Sequence, residues 1–358
     1  MHPLVQLVTR ERLSERGDYS GWTSAIRAIE GVLADRADDP TTWGMSRRVV
    51  PHAHAIAERN ASSSIEEAVY LLIVVARAAA FHTFTGNLRE AIRLYERAVS
   101  MSLALTQGGN TIDHAHVLND YGIALYRAYE DERATIALED ALEVKRRLLG
   151  DHSPELASTW MNLGNLASRK SDLAEARRYF EQVLQAATTG GDPRIHAMAL
   201  MQIGIIDLKE GNPGDAAARH REALEIIDRQ TPLAEAEIAR IRSNLGNALL
   251  DLGDAGAALA EQQAALTIKE RIYPTPHWEL ADTIGNMGNA QRLRGDTQSA
   301  ITSYERQLGM EEALYGSGHP ALDACLTNLA DTLDEVGDSE RAAAVRARMS
   351  APDVERTA

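Results

Sequence analysis

Asn162 and Asn165, Asn244 and Asn247, and Asn286 and Asn289 stand three residues apart, and Asp120, Gln202 and Asn328 extend the first member of the pair through the chain. Residues three apart share a helix face. Asn is a mediocre helix former, so nothing local favours it there. A primary amide carries both a donor and an acceptor and pairs with any extended backbone whatever its side chains. The chemistry open to such a ladder is hydrogen bonding to a peptide. The alternative is that the amides tie neighbouring helices together, and the two uses can coexist. Arg127, Arg169 and Lys209 form a second series that gives way to Asp251 and Glu335. A surface basic in its first half and acidic in its second would orient a peptide or select a carboxylate. Arg240 and Arg292 blur that gradient, and a solvated helix face accounts for it as well.

Bond-making chemistry finds no foothold. No nucleophile stands beside a base, no carboxylates pair in a pocket, and the pattern Gly-x4-Gly-Lys-Ser/Thr occurs nowhere, so the chain is expected to be non-enzymatic and unable to hydrolyse ATP. His152, His277 and His319 recur at one position of a repeat, about 10 Å or more apart by helix-packing distances. Zinc needs its ligands at about 2.1 Å. His52 and His54 are two apart on an expected helix and point away from each other. No metal and no cofactor are expected.

The elements that must position these residues are set by a repeat. A small residue recurs at Ala79, Gly122, Gly164, Gly204, Gly246, Gly288 and Ala330, in steps of 43, 42, 40, 42, 42 and 42 residues. Eight residues after each of these anchors stands Asn87, Glu130, Asp172, Asn212, Asp254, Asp296 or Asp338, preceded by Gly in five of the seven. Gly suits the left-handed end of one helix and Asp or Asn the cap of the next. Four residues later Ala stands in all seven units, so the second helix must approach the first closely there. Leu118, Trp160, Leu200, Ile284 and Leu326 on first helices, and Leu142, Leu184, Leu224, Leu266 and Leu308 on second ones, are expected core. Each unit reads as helix, tight turn, helix. The amides lie two before and one after the anchor, and the charged series lies five after it.

This pattern resembles the tetratricopeptide repeat, and the connectors Leu149-Gly150-Asp151-His152-Ser153-Pro154, Tyr273-Pro274-Thr275-Pro276-His277 and Tyr315-Gly316-Ser317-Gly318-His319-Pro320 look like those of its 42-residue kinesin-light-chain-like subtype. The resemblance covers Glu67 to Met349; the first two units depart from it, with Ala79 as anchor and Tyr129-Glu130 in place of Gly-Asp. It implies an all-α, right-handed superhelical solenoid of about seven hairpins, roughly 70 Å long at about 10 Å per hairpin. It further implies that the first-helix face lines a concave groove in which the Asn before the anchor holds a peptide backbone. The candidate peptide-binding residues are therefore Asp120, Arg127, Asn162, Asn165, Arg169, Gln202, Lys209, Asn244, Asn247, Asn286, Asn289 and Asn328.

The stretch from Met1 to Asn60 carries a separate resemblance. His2-Pro3-Leu4-Val5-Gln6 with Thr9-Arg10 is similar to the last helix of the winged-helix segment of actinobacterial NB-ARC (STAND) signalling ATPases, and Thr42-Trp43 with Val50-Pro51-His52 to the linker before their repeats. It implies a nucleotide-binding domain upstream, which the array would contact and control. The expected organisation is 1–17 winged-helix remnant, 18–64 helical linker or cap, 65–349 repeat array, and 350–358 disordered tail. A protein or extended peptide is the expected partner, whether the chain is the sensing region of such an ATPase or a free-standing adaptor. A net charge of −15 disfavours nucleic acid. The one cysteine, Cys325, allows no intrachain disulfide and is expected buried in a reduced compartment. No secretory signal is expected, given the charges at Arg10, Glu11, Arg12, Glu15 and Arg16, and Ala68 to Ala80, broken by Arg77, is expected too short to span a bilayer. The expected location is the cytoplasm, away from the membrane.

Overall fold

The computed structural model describes residues 20–33, 37, 43–57, 64–106, 108–187, 192–228 and 235–349. The expected winged-helix remnant, most of the Asn60–Ser64 linker and the expected tail after Met349 lie outside them. The chain divides into two compact units, Met1–Thr189 and Gly190–Ala358.

In the first unit α1 (Ser20–Glu30) and α2 (Trp43–Ala57) precede three helical hairpins: α3 (Ile65–Thr85) with α4 (Leu88–Leu105), α5 (Ile112–Arg127) with α6 (Asp131–Leu149), and α7 (Ala157–Arg169) with α8 (Leu173–Ala187). The second unit holds four: α9 (Pro193–Lys209) with α10 (Pro213–Asp228), α11 (Glu235–Asp251) with α12 (Ala255–Ile272), α13 (Trp278–Leu293) with α14 (Thr297–Tyr315), and α15 (Asp323–Glu335) with α16 (Ser339–Arg346). The fold is thus all-α with seven hairpins. A 3-10 turn begins at Pro154 and another at Pro320, each leading the connector into the next first helix.

The turn between paired helices forms as its chemistry dictates. Gly86, Gly211, Gly253, Gly295 and Gly337 take φ between 79° and 84°. Tyr129 and Ser171 occupy the same place with φ of 61° and 64°, a conformation that strains an L-residue. Asp172, Asp254, Asp296 and Asp338 then accept a backbone N–H three residues on. Asn87 and Glu130 make no such side-chain cap. Beyond the turn Ala91, Ala134, Ala176, Ala216, Ala258, Ala300 and Ala342 are all buried, at most 1% exposed.

The reason for the small anchor is a side chain sixteen residues later. A Cβ on Gly122, Gly164, Gly204, Gly246 or Gly288 would meet Leu138, Phe180, His220, Gln262 or Tyr304 at 2.5–2.7 Å. The second helix therefore lays one large side chain across the bare backbone of the first, and the anchor glycine makes room for it.

Two lysines, Lys145 and Lys269, are almost wholly buried, and they hold one register, Lys145 relative to Gly122 and Lys269 relative to Gly246. Lys145 Nζ donates to Thr159 Oγ1 (3.0 Å) and Glu155 O (3.3 Å). Lys269 Nζ donates to Thr283 Oγ1 (2.8 Å) and Glu279 O (3.4 Å), and pairs with Glu279 Oε2 at 2.9 Å. Each pins the first helix of the next hairpin from beneath.

Helix α3 departs from expectation: at 21 residues it is long and apolar enough to cross a bilayer, because the helix runs past both ends of the Ala68–Ala80 stretch. Here half of its most apolar part is buried, and it packs against α1, α2, α4 and α5. Its Arg77 donates to Glu30 O (2.7 Å) and pairs with Glu30 Oε1 (2.7 Å), clasping the end of α1. His54 of α2 does find a histidine, on another helix: its Nε2 lies 2.7 Å from His82 Nε2 of α3, and its Nδ1 2.9 Å from Glu90 Oε1 of α4. No three His, Cys, Asp or Glu among the described residues are grouped to hold a metal.

Candidate functional site

The amides before and after the anchor are all half-buried on the first helices. Their partners divide them. One residue after the anchor, Asn247 Oδ1 accepts from Gln262 Nε2 (2.8 Å) and Asn289 Oδ1 from Tyr304 OH (2.7 Å). Asp331 Oδ1 accepts from Arg346 Nη2 (2.8 Å) in the same register. These side chains hold the polar tip of the residue that crosses the anchor, a role the sequence reading did not assign. A polar residue sixteen after the anchor, paired with an amide or acid one after it, was the signal for it. Asn165 also has a partner within the chain.

Two residues before the anchor the pattern is mixed. Asn162 Nδ2 donates to Asn119 Oδ1 (3.1 Å), and Asn119 Nδ2 to Asp120 Oδ1 (3.2 Å), so amides join α5 to α7 in the first unit. Burial pushes the Asp120 carboxyl up, against the bond from Asn119 and the charges of His116 and Lys145. In the second unit Asn328 Nδ2 reaches Asn289 Oδ1 at 3.4 Å, linking α15 to α13. Gln202 has a partner within the chain. Asn244 of α11 and Asn286 of α13 make no hydrogen bond to any described residue. These two helices touch each other, so two unengaged amides stand at one register on neighbouring first helices.

The charged series is largely spoken for. Arg169 lies over the Tyr126 ring (3.7 Å to its centroid), donates to Tyr126 O (2.6 Å) and pairs with Asp131. Arg127 lies over Phe84 (4.5 Å) with its Nη1 3.5 Å from Thr83 O, and burial lowers its pKa. Both reach back onto the preceding hairpin. Later, Glu335 binds Arg292 Nε at 2.9 Å. Lys209 and Asp251 are exposed and unpaired among the described residues. One turn before Asn244, Arg240 keeps a buried Nε with no hydrogen-bond partner.

A profile of the tetratricopeptide repeat matches residues 132–189, 155–229, 237–310 and 279–345, together more than half of the chain. The chain belongs to the tetratricopeptide-repeat family. Three solved structures resemble its fold at low identity. The apo form of the quorum sensor NprR from B. thuringiensis aligns at 11% identity with a TM-score of 0.68, covering 96% of this chain and 91% of that one. The apo form of RapI aligns at 14% and 0.55, covering 77% and 95%. BtubC (BKLC) from P. vanneervenii aligns at 18% and 0.53, covering 66% and 93%. These likenesses are of fold. No curated protein sequence matches this tetratricopeptide chain significantly.

Proposed function

We propose that this tetratricopeptide protein is a non-enzymatic scaffold that captures an extended peptide segment of a partner protein on its first-helix face. The observation that carries the reading is the pair Asn244 and Asn286. They are half-buried and unengaged by the described residues, while Asn247 and Asn289 beside them hold side chains of the second helices. A helix amide that bonds to none of the described residues is placed for a backbone from outside. Within the second unit the candidate Lys209 brings a positive charge that is unpaired among the described residues; in the first unit Asp120, Asn162 and Arg169 are bonded within the chain.

Asn244→Ala with Asn286→Ala should abolish capture of the partner from native cytosol while leaving the melting temperature within about 2 °C, since neither side chain bonds to a described residue. Loss of folding, or undiminished capture, would refute the reading. The connectors support placing the array in the kinesin-light-chain-like subtype. The resemblance carried by Met1 to Asn60 supports the finer reading that the array is the sensing region of a cytoplasmic NB-ARC ATPase and contacts its nucleotide-binding domain. An open frame upstream of Met1 carrying a phosphate loop is the expected finding; a ribosome-binding site directly before Met1 would leave a free-standing adaptor.

A further inference from the structure

Two cavities lie at corresponding places between second helices of successive hairpins, and their polar groups are answered differently. In the second unit a cavity of about 450 Å³ lies between α14 and α16. Two ion pairs cross it: Arg341 Nη2 meets Glu305 Oε1 at 2.6 Å, and Arg348 pairs with Glu312. Each charge there has its counter-charge. In the first unit a cavity of about 400 Å³ lies between the end of α6, its connector and α8, over Trp160 of α7. Arg146 and Gln182 stand there where Glu312 and Arg348 stand in the other: Arg146 lies as far past Gly122 as Glu312 past Gly288, and Gln182 as far past Gly164 as Arg348 past Ala330. The register of Glu312 and Arg348 carries a second ion pair, Glu270 with Arg306, at 2.6 Å. Gln182 cannot complete such a pair.

Three polar atoms of residues that line this cavity are unmet. Arg146 Nε, Trp160 Nε1 and Gln182 Oε1 are shielded from solvent and have no hydrogen-bond partner. Trp160 as a whole is only 3% exposed. The carboxylate nearest Arg146 is Asp151, whose Oδ1 lies 3.5 Å from Nε, too far for a good hydrogen bond. Burying two donors and an acceptor without partners is costly, and a ligand that answers all three recovers that cost.

We propose that this cavity is a binding site for a small amide-bearing molecule, whose carbonyl oxygen accepts from Trp160 Nε1–H and Arg146 Nε–H and whose N–H donates to Gln182 Oε1. Entry requires the flexible Arg146 and Gln182 side chains to swing aside from the indole. An apolar ligand would leave all three atoms unmet. A simple carboxylate would set like charge against Asp151 and give Gln182 Oε1 nothing to accept. The size lies at the lower end of small-molecule sites, roughly 300–1,000 Å³. Asn162 and Asn165 do not line the cavity, so the site stands apart from the peptide face.

The indole N–H is its own reporter, since the chain has only four tryptophans to resolve. In ¹⁵N-labelled protein, with the Trp160 indole peak assigned by its absence in Trp160→Phe, N-acetyl-L-alaninamide should shift that peak saturably and leave those of Trp43 and Trp278 in place. Gln182→Glu places beside Arg146 the ion pair that two other gaps carry at this register. It should weaken the response at least about tenfold with helical circular dichroism retained, and Gln182→Leu, run in parallel, should do the same. A Trp160 peak unmoved up to about 50 mM probe overturns the proposal. So does a response that survives in both variants, or an equal response to propionate, which would mark an anion site.

Discussion

His220 buries two ring nitrogens with nothing to bond to, and the reason is its neighbour. Where Asn247 and Asn289 hold the crossing side chains of the next two hairpins, the corresponding residue beside His220 is Ile205. Ile205→Asn should supply the missing partner and raise stability by about 1 kcal/mol, measured by urea unfolding at pH 7.5. Burial lowers the His220 pKa from 6.5 to about 4, with Asp207 pulling the other way. Above pH 6.5 the ring is neutral in both folded and unfolded chain. As pH falls from 6.5 toward 4 the unfolded chain takes up a proton that the folded chain refuses, so stability present at neutral pH is lost. A displacement of this size corresponds to roughly 3 kcal/mol. His220→Phe, which copies Phe180 of the preceding hairpin, should lose that much less stability than wild type between pH 6.5 and 4. His82, His114 and His277 are also lowered by burial and add to the wild-type slope in the same direction. Asp120, Asp282 and Glu311, raised by burial, oppose it.

At the scale of the hairpin, the turn and the crossing can be tested separately. Ser171 holds the left-handed turn that five other hairpins give to Gly. Ser171→Gly should therefore stabilise by about 1 kcal/mol, a rise in Tm of about 2–4 °C. Gly164→Ala should act oppositely: Ala is the better helix former, but its Cβ would stand 2.5 Å from the rigid Phe180 ring. Overpacking of that kind costs about 1–3 kcal/mol and outweighs the propensity gain. A higher Tm for Gly164→Ala would mean that the ring moves freely. The anchor, the turn and the buried alanine were legible in the sequence because each is a small residue in most or all units at a near-fixed spacing. The crossing side chain was not, since Leu138, Phe180, His220, Gln262 and Tyr304 share size and register but no chemistry. The buried Lys145 and Lys269 were invisible for the opposite reason: lysine reads as solvent-facing until the threonine that receives it is seen on the next helix. Of the candidate site, the register of the amides was legible. Which amides are engaged was not, because that depends on partners 15 to 43 residues away.

For the molecule as a whole, the division into two compact units predicts independence. Fragments 20–189 and 190–349 should each give helical circular dichroism and a cooperative melt, as expected when stability is a sum over hairpins and nearest-neighbour contacts. A fragment that stays unstructured would show that its hairpins depend on the other unit. Within the second fragment, hydrogen exchange should be fastest in the eight-residue α16, the shortest of the sixteen described helices. The crossing side chains carry one more consequence. A chain that resembles itself at a fixed period is open to mispairing, with the first helix of one hairpin taking the second helix of another. Such a swap would set the Tyr304 hydroxyl against Ile205, or Leu138 against Asn247, stranding a polar group each time. The differing occupants of this register thus act as keys cut for individual locks, and fidelity of assembly draws on a position where the repeats disagree inside the core.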